Sequence, residues 1–251
     1  PITIGAVNTI GLITLYQKEV QRFLKVGLQT LCAPVVTALL FMLVFSVALG
    51  SRATPYDGVS FSGFLAPGLV MMAVLQNAFA NTSSSIVIGK VQGNIVDILM
   101  PPLGPGELLT AMVCAGITRG LLVGCACAIT LTILGGLGLP PAPFVAFIYL
   151  LLGSTALAFA GVLAGIWAQK FDSLAAITNF VIQPLAFLSG TFYSVHNLPA
   201  PFDVIASANP VFMVIDGFRY GMIGRSDTGL IQGVGILIVI NMILAITSFH
   251  I

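Results

Sequence analysis

The chain has 251 residues, of which 58% are hydrophobic and only 7% charged, whereas an ordinary soluble domain carries about a quarter charged side chains. That balance excludes a water-soluble globular fold and reads as a membrane protein. Nine Lys and Arg against eight Asp and Glu give a formal net charge of +1, so the charge balance offers no footprint for nucleic acid.

A hydrocarbon core of about 30 Å needs roughly 20 apolar residues as helix, which gives a chain of this length about six spans with short connections and no room for a separate soluble domain. A single transmembrane domain over 1–251 is expected, divided into an interfacial stretch, 1–26, and a bundle, 27–251. No signal-peptide pattern of basic start, short apolar stretch and small-residue cleavage site is visible.

Residues 4–25 open the chain with Ile10, Ile13, Tyr16, Val20, Phe23 and Leu24 at helical spacing and Lys18, Arg22 and Lys25 roughly opposite. One oily and one basic face describe an amphipathic helix lying in the headgroup plane; packing on a protein partner is the other reading. Six apolar segments follow, over 27–50, 63–88, 108–134, 144–168, 174–192 and 230–249. They are long and continuous, without the ten-residue alternation of membrane strands, so the expected class is all-α with six transmembrane helices. Lys18, Arg22, Lys25, Lys90 and Lys170 on one side against Arg52, Arg219 and Arg225 on the other favour both termini inside the cytoplasm. Cys32, Cys114, Cys125 and Cys127 fall in apolar runs, where cysteine acts as a small hydrophobe.

Glycines recur at four-residue spacing, Gly116, Gly120 and Gly124 on the third segment and Gly161 and Gly165 on the fourth. Such stripes let another helix approach closely, either within the chain or across a dimer seam. Polar residues concentrate on two segments: Gln76, Asn77, Asn81, Thr82 and Ser83 to Ser85 on the second, Thr178, Asn179 and Gln183 on the fifth. Asn77 with Asn81, and Asn179 with Gln183, lie one helical turn apart and share a face. They line a hydrated pathway or bond between helices; both readings stand. Pro184 should kink the fifth helix. Arg119 is the one Lys or Arg well inside a span. It should snorkel to the boundary or pair with a carboxylate, and an anchoring role is favoured over substrate contact.

Between the second and third segments, "GKVQGNIVDILMPPLGPGELL" holds Asn94 as a cap for a short helix over 95–100, which Pro101 and Pro102 stop. Its apolar face, Ile95, Ile98 and Leu99, is expected to be presented to a partner or to lie on lipid. Residues 187–224 are too oily for a loop and too broken by Pro199, Pro201 and Pro210 for a span. There Asp216 and Arg219 are spaced to pair. Phosphate-loop, nucleophile-elbow and H-E-x-x-H patterns are missing, and His196 and His250 have no ligand neighbours, so neither an enzyme nor a metal site is expected.

The order of an amphipathic start, six segments, "DILMPPLGPGELLTA" and above all "SGTFY", "NLP", "NP" and "DGFRYG" resembles the type-2 ABC exporter permease family over nearly the whole chain. The resemblance implies a permease of the inner membrane: two six-span subunits, this chain with a second copy or a sister permease, driven by two separate ATPase subunits. ATP and magnesium would belong to the ATPase, with no cofactor on this chain. It implies that Asp97, Ile98, Leu99 and Glu107 form the ATPase-coupling region, that Asp216, Arg219 and Tyr220 belong to short re-entrant helices at the outer leaflet, and that Asn77, Asn81, Asn179 and Gln183 stand beside the central path. The uncharged lining fits an amphiphile such as a lipid, a lipid-linked glycan or a drug-like compound. A stand-alone ion-coupled carrier is the alternative, weakened by the want of an acid deep in any span.

Overall fold

The computed structural model describes residues 8–49, 58–195 and 202–250, and all the regular structure among them is helical. The elements are α1 (Thr9–Leu24), α2 (Gly27–Leu49), α3 (Phe61–Val91), α4 (Val96–Leu99), α5 (Pro105–Ile133), α6 (Pro143–Trp167), α7 (Phe171–Ile177), a π-helical turn (Thr178–Ile182), α8 (Gln183–Phe187), α9 (Phe202–Ser207), α10 (Pro210–Ile223) and α11 (Leu230–His250). Arg52, His196, Pro199, Pro201 and the Asp203 side chain lie outside what is described.

Among the described residues five helices, α2, α3, α5, α6 and α11, are long and apolar enough to cross a membrane. Their limits fall within a few residues of the expected segments. The fifth segment differs: instead of a span over 174–192 it forms a 17-residue broken helix, Phe171–Phe187. The break has a local cause. Pro184 has no N–H to donate to the carbonyl four residues earlier, and its ring crowds that carbonyl. The backbone widens just before it, with the Gln183 N–H bonding back to the Thr178 carbonyl, five residues away.

α3 is the central post. Buried residues make up 83% of its apolar window, against 11% for α2 and 17% for α11. The glycine stripes explain how α5 and α6 close on it. A Cβ on Gly161 would meet Thr82 Oγ1 at 2.1 Å and the Phe79 carbonyl at 2.5 Å, and one on Gly124 would meet Val74 Cγ2 at 2.5 Å. Gly116, Gly120 and Gly165 also face α3. The stripes therefore serve packing within the chain, where the sequence left a dimer seam open. Of the cysteines only Cys127 is buried; Cys32, Cys114 and Cys125 face outward.

The two ends of the bundle are built differently. At one end, α4 and the first turns of α1 and α5 cluster. Lys90 at the foot of α3 donates to the carbonyls of Gly165 (3.0 Å), Ile166 and Ala168 (3.2 Å), closing the last turn of α6. At the other end α10 is wedged among α3, α6 and the irregular stretch after α8. Ser189, Thr191 and Ser194 are buried there although their backbone is not helical, which a membrane-depth segment allows only when protein covers it.

Candidate transport site and coupling surface

α1 does not float with its oily face inward. Ile10, Ile13 and Leu24 are exposed, and the buried face is Leu15, Glu19 and Phe23. The expected basic face is divided: Lys18 and Lys25 are exposed, whereas Arg22 points into the bundle. Its Nε donates to Glu19 at 3.1 Å, and Nη2 donates to the Asn81 carbonyl at 2.8 Å and to Asn81 Oδ1 at 3.1 Å. Glu19, only 1% exposed, accepts a second bond from Ser85 Oγ at 2.8 Å. Tyr16 meets Thr118 Oγ1 of α5 at 2.9 Å. A buried carboxylate is tolerated only when paired and hydrogen-bonded, and the partners for Glu19 come from its own helix and from α3.

The polar residues of α3 are mostly occupied inside the chain. Asn77 donates to the Ala73 carbonyl at 3.0 Å, Thr82 to the Ala158 carbonyl of α6 at 2.9 Å, and Ser83 to the Phe79 carbonyl at 2.8 Å. Asn81 is fully buried against Arg22. Gln76 and Ser84 stay half-exposed. Gln76 faces the α8 residue Gln183 at 3.4 Å, and the two border a cleft of about 250 Å³ lined also by Asn77, Ser84, Leu174 and Thr178. A second cleft of about 240 Å³ opens on the other side of Gln76 and Asn77, against Pro34, Thr37 and Phe41 of α2. Asn179 is exposed and lines neither cleft. Asn179 lies within the π-turn Thr178–Ile182 and Gln183 just after it, so they do not stand on one unbroken α-helix.

Arg119 is half-buried on α5 and forms no ion pair among the described residues. The ion pair that does form nearby joins Arg22 to Glu19, within α1.

At the α4 end, the expected apolar face is shared between two tasks. Ile98 is buried with Leu15 and Ala111, and Ile95 packs beside Ile86 and Val113, so these two hold α4 down. Val96, Leu99 and Met100 stand out at 53%, 65% and 77% exposure, with Asp97 exposed beside them. Asn94 does not cap the helix with its side chain. Glu107 is turned inward: its carboxylate accepts from the backbone N–H of Asn8 and, at 2.8 Å, from that of Gly104. It thereby ties the start of α1 to the start of α5.

At the opposite end, Asp216 and Arg219 engage different partners. Asp216, fully buried, accepts from Ser226 Oγ (2.8 Å), Asp227 N (2.9 Å), Thr228 N (2.9 Å) and Thr228 Oγ1 (2.6 Å). Arg219 donates to the Gly190 carbonyl at 2.7 Å and lies 4.0 Å from the centre of the Phe64 ring. Tyr220 is half-buried and its carbonyl caps the helix through Gly224. Asn209 starts α10 by accepting from Val211 N, and it donates to the Leu185 carbonyl of α8 at 2.8 Å. Burial raises the Tyr193 phenol above its ordinary range, and a hydrogen bond with the Gly190 backbone works in the other direction.

The bundle thus has a central helix carrying polar residues, flanked by two clefts, with an apolar knob at one end and a packed helical cap at the other. The family model for the ABC-2 type transporter matches residues 11–223. The chain belongs to that family. It is 36% identical over 236 residues to the inner membrane transport permease YadH of Escherichia coli strain K12, covering 92% of this chain and 90% of that one. It is also 25% identical over 239 residues to nodulation protein J of Rhizobium leguminosarum bv. viciae, covering 93% and 89%. Nodulation protein J of Rhizobium meliloti strain 1021 is 24% identical over 217 residues. This ABC-2 chain is accordingly a multi-pass membrane protein and a transporter subunit.

Sequence reasoning missed Glu19. The signal was present, since Glu19 and Arg22 stand three apart on a helix where they reach one another, but a basic face read as lipid-facing hid it.

Proposed function

We propose that this chain is the permease subunit of an ATP-driven exporter of the inner membrane, with both termini in the cytoplasm. It moves an amphiphile, a lipid, a lipid-linked glycan or a drug-like compound, and is driven by two separate ATPase subunits that carry the ATP and magnesium. The observation that carries the reading is the α4 knob. Val96, Leu99 and Met100 are exposed at the foot of the bundle, on a short helix seated through Ile98 on Leu15 and Ala111, next to the Glu107 carboxylate that ties Asn8 to Gly104. An apolar patch on a firm base suits a protein partner that pushes. Within the expected coupling set, Asp97 and Leu99 are then the residues that meet the ATPase, and Ile98 and Glu107 the residues that keep them in place.

The two clefts beside Gln76 and Asn77 support the position of the path, with Gln183 on its far wall. Phe41, Phe45, Phe187 and Phe192 form one aromatic cluster between α2 and the α8 region, with ring centroids 4.7 to 6.2 Å apart. Beside it Leu43, Val47 and Phe180 are exposed at 63%, 80% and 81%. This flank is where a second copy would close the path, which would place Asn179 at the seam between copies. The pair of helices α9 and α10 before α11 fits a re-entrant cap at the outer leaflet.

The test is co-expression with the ATPase encoded beside it. The ATPase is expected to copurify with the native chain and to be lost about tenfold from Leu99→Asp, equivalent to about 1.4 kcal/mol of binding, while thermal unfolding of the permease is unchanged. Failure of any ATPase to copurify with the native chain, or cargo movement by the chain alone in vesicles holding only an ion gradient, would overturn the reading.

A further inference from the structure

We infer that Glu19 and Arg22 form a buried latch that makes α1 and the α4-end half of α3 move as one body, so that a push at the foot of α1 arrives at the polar clefts. The inference rests on the proposed function for the origin of the push, but the latch itself stands on geometry. α1 has its own ties to the knob: Asn8 bonds the Glu107 carboxylate and the Pro102 carbonyl (3.1 Å), and Leu15 packs on Ile98. From there the helix runs to Glu19 and Arg22, whose partners Asn81, Ser84 and Ser85 all belong to α3, some sixty residues away in sequence. Ser84 lines the cleft that Gln76 and Gln183 border. One continuous set of contacts therefore runs from α4 through α1 to the cleft wall.

Charge decides why this tie is stiff. Glu19 is 1% exposed, and its two oxygens are divided between Arg22 and Ser85, so α1 cannot slide along α3 without leaving a buried carboxylate short of a partner. Arg22 uses its fork on a side chain and a backbone carbonyl together, which fixes orientation as well as distance. Arg119 of α5 also lies within electrostatic range of Arg22, so Glu19 offsets a local excess of positive charge. An α1 held by apolar packing alone could shift its register; a shared carboxylate has one seat. Glu19 and Arg22 are positioning residues in this scheme and touch no cargo.

The experiment measures distances between spin labels at Ile13 on α1 and Val91 at the end of α3, both exposed, in a cysteine-free chain purified with its ATPase in nanodiscs. Spectra are compared without nucleotide and with ATP and vanadate. In the otherwise native chain the distance is expected to stay within about 2 Å between the two states, the scale of ordinary helix shifts. In Glu19→Gln it is expected to change by more than that or to broaden at least twofold. The double variant E19Q/R22Q removes both charges together; it should recover the thermal stability lost in Glu19→Gln yet still show the change, which a merely structural role would not produce. Ser85→Ala, the mildest variant, should broaden the distribution less. A native distance that moves with nucleotide, or Glu19→Gln and Ser85→Ala distributions equal to the native one, would overturn the latch. Should no ATPase copurify, the proposed function fails and not the latch. The latch is then judged on the chain alone, by whether the native distribution is narrower than that of Ser85→Ala.

Discussion

The α3 helix and the broken helix Phe171–Phe187 carry similar polar residues in apolar surroundings, and the bundle uses them in opposite ways. On α3 the amide of Asn77 and the hydroxyls of Thr82, Ser83 and Ser85 are spent on neighbours within the chain. On the broken helix Asn179 is exposed, Phe180 beside it is 81% exposed, and Gln183 reaches α3 only at 3.4 Å. A polar residue in a membrane helix is thus no marker of a pathway by itself. What separates the two cases is whether its hydrogen-bonding groups already have partners. By that measure the wall of the clefts is narrower than the sequence implies, and it centres on Gln76 and Gln183; Ser84, which lines the same cleft, already bonds the Asn81 carbonyl and Arg22.

The sharpest way to break the comparison is to pry α6 off α3. Gly161→Val would force a side chain onto Thr82 and the Phe79 carbonyl, and because backbone is among the clashing atoms no rotamer change relieves it. A loss of about 3 kcal/mol is expected, at the upper end for overpacked cores, read as a lower thermal midpoint in detergent. Phe180→Val on the broken helix should leave the isolated permease unchanged. A Gly161→Val chain as stable as the native one would mean that α3 is not the central post.

A smaller effect tests the π-turn. Deleting Phe180 removes the one-residue excess that a π-turn represents and should restore α-helical register through Pro184. Asn179 and Gln183 would then share a face. With cysteine at position 179, labelling by a maleimide reagent is expected to fall several-fold after the deletion, as the side chain turns toward α3. Stability should drop by about 1 kcal/mol, the size of a typical mutational change. Labelling that does not change would show that something other than the extra residue turns Asn179 outward.

Much of this was legible beforehand, for identifiable reasons. Five of the six apolar segments match long helices because twenty apolar residues in a row leave a local trace: the expected 144–168 corresponds to Pro143–Trp167, and 230–249 to Leu230–His250. The Asn209–Pro210 start of α10 could also be anticipated, since cap and proline are neighbours in sequence. What could not be read was which face met what. α1 shows an oily stripe, yet its neighbours bury the Leu15–Glu19–Phe23 face, where Glu19 finds two partners, and leave Ile10 and Ile13 exposed. The partners that decide this lie sixty residues away and have no period. The burial of Ile98 is hidden for a similar reason, since the surface it covers is built from Leu15 of α1 and Ala111 of α5, neither of which its own sequence neighbourhood announces. The different exposure of Asn179 and Gln183 goes with a widened stretch of backbone before Pro184, which residue spacing does not reveal.

The smallest expected effect bears most directly on how the two helices differ. Gln76 and Gln183 are the side chains that bond across the cleft between α3 and α8. At 3.4 Å that bond is long and weak, and both residues stay half-exposed, so each can find water or another partner when the other is removed. A double-mutant cycle of Gln76→Ala and Gln183→Ala, followed by thermal unfolding in detergent, should therefore give a coupling below about 0.5 kcal/mol. The same cycle on Glu19 and Ser85, buried and 2.8 Å apart, should give about 1.5 kcal/mol or more, as expected of a hydrogen bond to a charged group. The contrast matters more than either value: a firm tie from α1 to α3 beside a loose one from α3 to α8 leaves the cleft wall free to part on one side only. Equal couplings would mean that α8 is held as tightly as α1, and then the cleft is a packing defect and not the flank of a path.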